Sequence, residues 1–226
     1  MTPRRTFLIL FIANALAHVV GQAGQVQIII DVTKPLILPF LAGYYVASSS
    51  FPRSFILLTA LFACWLGDIA LMFTGYNEIW FMTGLGAFLV GHIFFILTYR
   101  QFRSESIENG LLPTQKIRFS LPVVLAGTGL IVVLYPGLGG LRVPVVIYGT
   151  TIIIMVMNAI FRFGRTPSMS FWLVLFGGLM FMASDSLLAI NKFMGGIKMS
   201  GVLVMGTYIA AQYLIIEGLL KHNDQG

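Results

Sequence analysis

The chain has 226 residues, of which 58% are hydrophobic and only 10% are charged, and its mean hydropathy is +0.90. A water-soluble domain carries about 25% charged residues, so this composition excludes a water-exposed globule and indicates a polytopic membrane protein. The net charge of +6 does not require a nucleic-acid partner, because the basic residues follow a membrane topology pattern described below. The single cysteine, Cys64, can form no disulfide within one chain, and we interpret it as a packing residue.

Eight apolar stretches are long enough to cross a bilayer, which takes about 20 residues per helix. They are residues 4–22, 33–48, 54–74, 79–99, 119–135, 143–162, 170–190 and 199–220. The second stretch contains Pro35 and Pro39 and the fifth contains Pro122, so seven spans with one re-entrant segment is the alternative. The predicted fold is a single all-α domain, residues 1–226, folded as a bundle of about eight transmembrane helices.

The first stretch opens with Arg4 and Arg5, and it also has the composition of a signal peptide. Its sequence Ala15-Leu16-Ala17 is similar to a cleavage site. We interpret the stretch as the first membrane span.

Lysine and arginine are distributed unevenly between the two predicted sides of the membrane. With the N-terminus inside, the four on the opposite side are Lys34, Arg142, Lys192 and Lys198, and the ten in cytoplasmic segments are Arg4, Arg5, Arg53, Arg100, Arg103, Lys116, Arg118, Arg162, Arg165 and Lys221. This positive-inside bias predicts that both termini are cytoplasmic. The expected location is therefore multi-pass in the bacterial cytoplasmic membrane.

A polar stretch at 99–118 separates the first four spans from the last four, and we interpret it as a solvated loop. The two halves share a faint pattern, because "LGDIALMF" in the third span resembles "ASDSLLAI" in the seventh. Four spans in each half would form a parallel 4+4 repeat, whose axis runs along the membrane normal.

Asp68 and Asp185 are the only acids well inside the predicted spans. An ionised aspartate in hydrocarbon costs about 2.5 kcal/mol or more, so each acid indicates either a functional site or a structural hydrogen-bond centre. At about 1.5 Å per residue, both acids lie about 20 Å from the cytoplasmic end of their spans.

The other polar residues of the spans are placed to meet these acids. His92 and Gln212 fall near the midplane, Tyr208 lies one turn from Gln212, and Lys34 opens the second span. We predict that the two acids share a cavity open to the non-cytoplasmic side, with His92, Tyr208 and Gln212 on its walls. His18 is interpreted as a packing or pocket-wall residue.

Taken in order, six motifs resemble the YhhN family of integral membrane lysoplasmalogenases. They are "KPL" (34–36), "LGDIALMF" (66–73), "GLGAFLVGHIFF" (84–95), "VPVVIYGTTIIIMVMNA" (143–159), "FGGLMFMASDSLLAI" (176–190) and "YIAAQYLI" (208–215). The Gly-xxx-Phe-xxx-His spacing of the third motif is characteristic. One departure is Phe95, where a tyrosine is expected in many relatives.

The resemblance implies an eight-span hydrolase that cleaves the vinyl ether bond of lysoplasmalogens. The products are a fatty aldehyde and glycerophosphoethanolamine or glycerophosphocholine. Asp68 and Asp185 match the family's acids and are the expected catalytic residues. The expected substrate-binding residues are the matches to its other polar positions, Lys34, His92, Tyr148, Tyr208 and Gln212.

The chemistry of vinyl ether hydrolysis suits a pair of carboxyl groups. Protonation of the alkene carbon gives an oxocarbenium ion, which one carboxylic acid can form and one carboxylate can stabilise, much as in glycosidases. The sequence leaves open which aspartate is the acid. No cofactor is expected, and the expected partners are a lysophospholipid or lysoplasmalogen substrate and membrane lipids, with no nucleic acid and no required protein.

Other functions remain open at the level of sequence. His18, His92 and the two acids include enough ligands for zinc, but no dense motif such as H-E-x-x-H is present, so a metal site is not expected. Two acids and a histidine in the spans also suit a proton-coupled transporter of a small or lipid-like substrate. A non-catalytic lipid-binding protein is the third interpretation.

Overall fold

The computed structural model describes residues 2–48, 53–105 and 110–223, which form nine α-helices and no strand. The helices are α1 (Pro3–Gly24), α2 (Gln27–Thr33), α3 (Ile37–Ser48), α4 (Phe55–Met72), α5 (Glu78–Gln101), α6 (Pro113–Leu134), α7 (Arg142–Ile160), α8 (Ser168–Phe193) and α9 (Ser200–Asn223). The all-α prediction is confirmed.

Eight spans are long and apolar enough to cross a membrane within the described part of the chain. The second is Gln27–Ser48, in which α2 and α3 are joined by a 3₁₀ turn at Lys34–Leu36. In the fifth, Pro122 lies inside α6 without ending it. The predicted eight-span, multi-pass membrane protein is therefore confirmed.

The polar segment before the fifth span is shorter than predicted. Helix α6 begins at Pro113, where the proline occupies the first turn and the Gln115 side chain accepts a hydrogen bond from the Leu112 N–H at 2.9 Å. Proline is favoured at this position because a first-turn N–H has no partner within the helix. Lys116 and Arg118 therefore lie in the first turns of α6, which begins six residues before the approximate span start predicted at 119.

Residue contacts divide the chain into two compact units, residues 1–98 and 99–226. The division falls near the end of α5, so each unit holds four spans. The expectations of a single domain and of a parallel repeat stay predictions.

Glycines set the packing of α4 against α5 in the first unit. A Cβ atom added to Gly67 would lie 2.6 Å from the Phe88 ring, and one added to Gly91 would lie 2.6 Å from Cys64 Sγ. Because no larger residue fits at these contacts, the glycines of both motifs let the helices approach closely. Cys64 is buried at this interface, as the packing interpretation predicts.

The second unit uses the same device between α8 and α9. A Cβ atom on Gly177 would lie 2.7 Å from Ile215 Cγ1, and one on Gly218 would lie 2.9 Å from the Val174 backbone nitrogen. Close backbone approach of this kind holds α8 and α9 together along most of their length.

A buried arginine holds one end of the second unit together. The Arg162 guanidinium donates hydrogen bonds to the Phe102 carbonyl at 3.1 Å, to Ser170 Oγ at 2.9 Å and to Thr166 Oγ1 at 3.3 Å. Burial lowers the pKa of Arg162 to about 10, which leaves it charged at neutral pH. Its position is explained by packing, so it is weaker evidence for topology than the exposed basic residues.

Candidate functional site

The second span is interrupted where Lys34 lies, and the interruption follows from its prolines. Pro39 has no N–H, so it cannot donate the helical hydrogen bond to the Pro35 carbonyl four residues earlier. The Trp65 indole on α4 replaces this donor, with Nε1 2.8 Å from the Pro35 oxygen. The bond between the two spans fixes the backbone immediately after Lys34.

A second side chain stabilises the other edge of the same turn. The Ile37 N–H is directed to the Lys34 carbonyl, as in a 3₁₀ turn. The Asn14 amide on α1 donates to the Thr33 carbonyl at 2.9 Å. Terminal helix carbonyls need such partners when water is excluded, so α1 and α4 together hold the Lys34 turn.

His18 belongs to this network and is fully buried. Its Nδ1 lies 2.8 Å from Thr33 Oγ1, and the Thr33 hydroxyl donates to the Ile29 carbonyl at 2.5 Å. Because a hydroxyl has one hydrogen, we assign the donor role in the first bond to Nδ1–H. The interpretation of His18 as a packing or pocket-wall residue was incomplete, since it bonds the residue beside Lys34.

Lys34 and Asp68 are brought together in the first unit. Asp68 is 2% exposed on α4, and Lys34 lies within electrostatic range of Asp68, of Asp31 and of His18. Opposite charges attract more strongly in apolar surroundings than in water. Lys34 and Asp68, which lie within electrostatic range of one another at a helix interruption inside the first unit, are called the charged pair below.

The remaining predicted residue of this unit, His92, is fully buried on α5. It directly follows Gly91, whose contact with Cys64 packs α5 onto α4 one turn before Asp68. Phe95, at the position where the family resemblance leads one to expect a tyrosine, is also buried. The face of α5 that carries His92 therefore has an apolar side chain at position 95.

In the second unit, Asp185 on α8 is held by Tyr148 on α7. The Tyr148 hydroxyl donates to Asp185 Oδ2 at 2.5 Å. The neighbouring Ser184 hydroxyl donates to the Val204 carbonyl of α9 at 2.9 Å, which fixes the rotation of α8 at the acid. Two of the predicted residues, Tyr148 and Asp185, are thus brought into direct contact.

Tyr208 and Gln212 line the neighbouring face of α9. The Tyr208 ring packs edge-on against Phe181, which lies one turn before Asp185, with 5.4 Å between ring centroids. Gln212, one turn further along α9, is fully buried, and neither amide atom has a hydrogen-bond partner among the described residues. Buried amides are normally satisfied, so this one is a candidate to bind a polar group.

Sequence reasoning missed three residues of the network around Lys34: Asn14, Thr33 and Trp65. Only the spacing of Pro35 and Pro39 signals that a carbonyl in the second span needs an outside donor.

No group of three His, Cys, Asp or Glu residues in the described ranges is placed to hold a metal ion. The shared cavity for both acids stays a prediction.

Each unit thus holds, on its third span, an aspartate near a polar residue of its second span, within a multi-pass helical membrane protein. Residues 30–219 match the YhhN family, and the chain therefore belongs to it. Two curated proteins called lysoplasmalogenase, from Mycobacterium bovis and Mycobacterium tuberculosis (strain CDC 1551 / Oshkosh), are each 31% identical to it over 140 residues. These matches cover 61% of this chain and 50% of each relative, so the chain spans about half the length of the curated relatives it matches. No solved structure matches the chain.

Proposed function

We propose that this protein is a membrane hydrolase that cleaves the vinyl ether bond of lysoplasmalogens. The products are a fatty aldehyde and glycerophosphoethanolamine or glycerophosphocholine. Family membership and the names of the relatives support the reaction class. The observation in the structure that carries the proposal is that Lys34, at the interruption of the second span, lies within electrostatic range of the buried Asp68. It offers a cation for a lipid phosphate and a carboxylate for the chemistry within one unit.

The two aspartates have different neighbours, and we assign their functions accordingly. A carboxylate beside an ammonium group costs less in apolar surroundings than a lone one, so Asp68 is assigned as the carboxylate that stabilises the cation and orients water. Asp185, which accepts a hydrogen bond from the neutral Tyr148 phenol, is assigned as the proton donor. Tyr148 then orients Asp185 by donating a hydrogen bond to its Oδ2 atom.

The proposed reaction consumes one water and leaves the protein unchanged. Asp185 transfers its proton to the alkene carbon remote from the ether oxygen, and positive charge develops on the carbon that bears the oxygen. Water adds to this carbon and passes a proton to Asp68. The hemiacetal then moves its hydroxyl proton to the glycerol oxygen and releases the aldehyde, after which proton exchange with solvent restores both aspartates.

The other predicted residues are assigned to substrate binding. Lys34 binds the phosphate of the head group, and the buried Gln212 amide binds a glycerol hydroxyl or the attacking water. His92 and Tyr208 shape the walls around the reacting bond. General acid–base assistance of this kind is worth about 10²–10⁴-fold in rate.

Aldehyde release by purified protein in detergent tests the proposal. Protein is incubated with a lysoplasmalogen and with the matching ester lysophospholipid, and aldehyde is measured. Aldehyde from the vinyl ether lipid alone is the expected result. A folded protein that releases none, but moves a substrate or protons across sealed vesicles, would be a transporter instead.

We further propose that the protein lies in the bacterial cytoplasmic membrane with both termini on the cytoplasmic side. The charge asymmetry of the sequence supports this orientation. A reporter that is active only in the cytoplasm, fused to Gly226 in the terminus outside the described residues, is expected to be active. An inactive but well-expressed fusion would show that the C-terminus lies on the other side of the membrane.

A further inference from the structure

An apolar groove of about 400 Å³ lies between α3 and α4 in the first unit. Its floor is formed by Leu38 and Leu61, which are both buried, and its end by Trp65. The groove opens at the protein surface, because Phe62 on its rim is 56% exposed. In a membrane-spanning helix pair, an opening of this kind faces the hydrocarbon of the bilayer.

The small side chain of Ala42 leaves the space that the groove occupies. Ala42 lies one turn beyond Leu38 on α3, opposite Leu58 on the α4 wall. A larger residue at position 42 would occupy the volume between the two helices. The groove is therefore a consequence of particular residues, and one substitution can fill it.

The groove ends beside the charged pair. Trp65 closes it and also donates to the carbonyl of Pro35, the residue after Lys34. Asp68 lies three residues after Trp65 on α4, which is about 4.5 Å along the helix. Lys34 and Asp68 thus both lie just beyond the Trp65 end of the groove in the first unit.

We propose that this groove binds the single hydrocarbon chain of the substrate, with its phosphate at Lys34 and its vinyl ether beside Asp68. This inference rests on the proposed function and adds where the chain lies and what limits its length. A lysoplasmalogen likewise carries its phosphate and its vinyl ether at one end of its hydrocarbon chain, as Lys34 and Asp68 lie at one end of the groove. Lateral opening lets the lipid enter without leaving the bilayer.

The volume of the groove suits part of one hydrocarbon chain. A methylene group is about as large as a water molecule, whose share of liquid volume is about 30 Å³, so about 400 Å³ holds roughly a dozen such groups. The groove therefore limits the length of chain that it can hold.

A groove-filling variant, Ala42→Phe, tests the inference through chain-length preference. Its kcat/KM for long-chain lysoplasmalogens should fall by about 5- to 100-fold, because the chain must then pack against the added ring, while a short-chain substrate is cleaved as by the unchanged protein. The matched control is Ala13→Phe, the same change at an exposed position of α1. The opposite change, Leu58→Ala, enlarges the groove and should shift the preference toward longer chains.

A binding measurement separates failure of the groove from failure of the proposed reaction. In a chain with Trp80→Phe and Trp172→Phe, Trp65 is the remaining tryptophan. A lysophospholipid with a brominated chain, which cannot undergo vinyl ether hydrolysis, should quench Trp65 fluorescence saturably in detergent. Adding Ala42→Phe should abolish this quenching, whereas adding Ala13→Phe should not.

Saturable quenching that Ala42→Phe removes supports the groove even if no substrate yields aldehyde, and in that case only the proposed reaction fails. Equal quenching in the two phenylalanine variants would show only non-specific lipid contact and would overturn the inference. Equal loss of activity with every chain length in a folded Ala42→Phe protein would overturn it as well.

Discussion

The aspartates of the two units occupy equivalent places but have different surroundings. Each lies on the third span of its unit and interacts with a residue from the second span of the same unit, Asp185 through a hydrogen bond and Asp68 through the electrostatic influence of a nearby lysine. In the first unit the acid is Asp68, 2% exposed, and its partner is the cation Lys34. In the second unit the acid is Asp185, half-buried, and its partner is the Tyr148 phenol at 2.5 Å. The difference suggests that one arrangement supplies a stabilised charge and the other an oriented proton donor.

The two partners are also positioned by different means. Tyr148 projects from the continuous helix α7, so its position follows from helix geometry alone. Lys34 lies in a 3₁₀ turn whose carbonyls are held by Asn14 and Trp65. The lysine site therefore depends on three helices. This contrast makes the first unit more sensitive to changes outside the charged pair.

The largest expected effect is loss of either acid. Asp68→Asn and Asp185→Asn should each lower vinyl ether hydrolysis by about 10²–10⁴-fold or more, because asparagine is nearly isosteric but neither donates an acid proton nor carries charge. Aldehyde release by purified protein measures the effect. The comparison predicts a further difference: Asp68→Asn leaves the Lys34 charge without its buried counterpart and should also lower the melting temperature.

The control for both substitutions is Glu217→Gln. Glu217 forms an i,i+4 ion pair with Lys221 at 3.9 Å, in the last turns of α9. Replacing it with glutamine should have little effect on turnover. Near-normal turnover in a folded Asp185→Asn protein would mean that this acid is structural. The division between charge and proton donor would then be wrong, whatever the result for Asp68.

The next effect concerns the phenol in the second unit. Tyr148→Phe keeps the ring in its packed position and removes only the hydrogen bond to Asp185. Asp185 becomes charged as it transfers its proton, and a hydrogen bond to a charged group is worth about 1.5–3 kcal/mol, so kcat should fall about 10- to 150-fold. The measurement is steady-state kinetics with a lysoplasmalogen. Tyr76→Phe, at a tyrosine exposed between α4 and α5, is the matched control. Equal kinetics in the two variants would remove Tyr148 from the mechanism.

In the first unit, Lys34→Met should act mainly on binding. The phosphate contact is made equally in the ground state and the transition state, so its loss raises KM more than it lowers kcat. We expect KM to rise about tenfold, the value of one contact of about 1.4 kcal/mol. Kinetics over a range of lysoplasmalogen concentrations separates the two constants, with the exposed Lys198→Met as control. A fall in kcat alone would place Lys34 in the chemical step.

The spans and both acids could be predicted from the sequence because hydropathy and isolated charges are local signals. Eight apolar stretches stand out without knowledge of any contact, and Asp68 and Asp185 stand out as the costly residues inside them. The contact of Tyr148 with Asp185 joins residues 37 positions apart, which no local pattern specifies. The family resemblance pointed to Tyr148, but not to its partner.

The support around Lys34 was predictable only in part. Pro35 and Pro39 predict an interrupted helix. The side chain that replaces the missing Pro39 N–H is set by the packing of α4 and cannot be read from the sequence. His18 was placed among packing residues because a lone histidine in an apolar span gives no sign of its partner. Its bond to Thr33 appears only when α1 and α2 lie side by side.

The smallest expected effect tests whether the position of Lys34 depends on the hydrogen bond from Trp65. Tyr148 in the second unit needs no such support, because it lies on a continuous helix. Trp65→Phe keeps most of the ring and removes the N–H that satisfies the Pro35 carbonyl. One such bond contributes about 1 kcal/mol, so the melting temperature in detergent should fall by a few degrees. Because the freed turn carries Lys34, KM for a lysoplasmalogen should also rise slightly, while kcat stays nearly constant. The control is Trp80→Phe, at an exposed tryptophan of α5. If both variants melt at the same temperature and bind substrate equally well, the Lys34 turn is held without Trp65, and the contrast between the two units is limited to their charges.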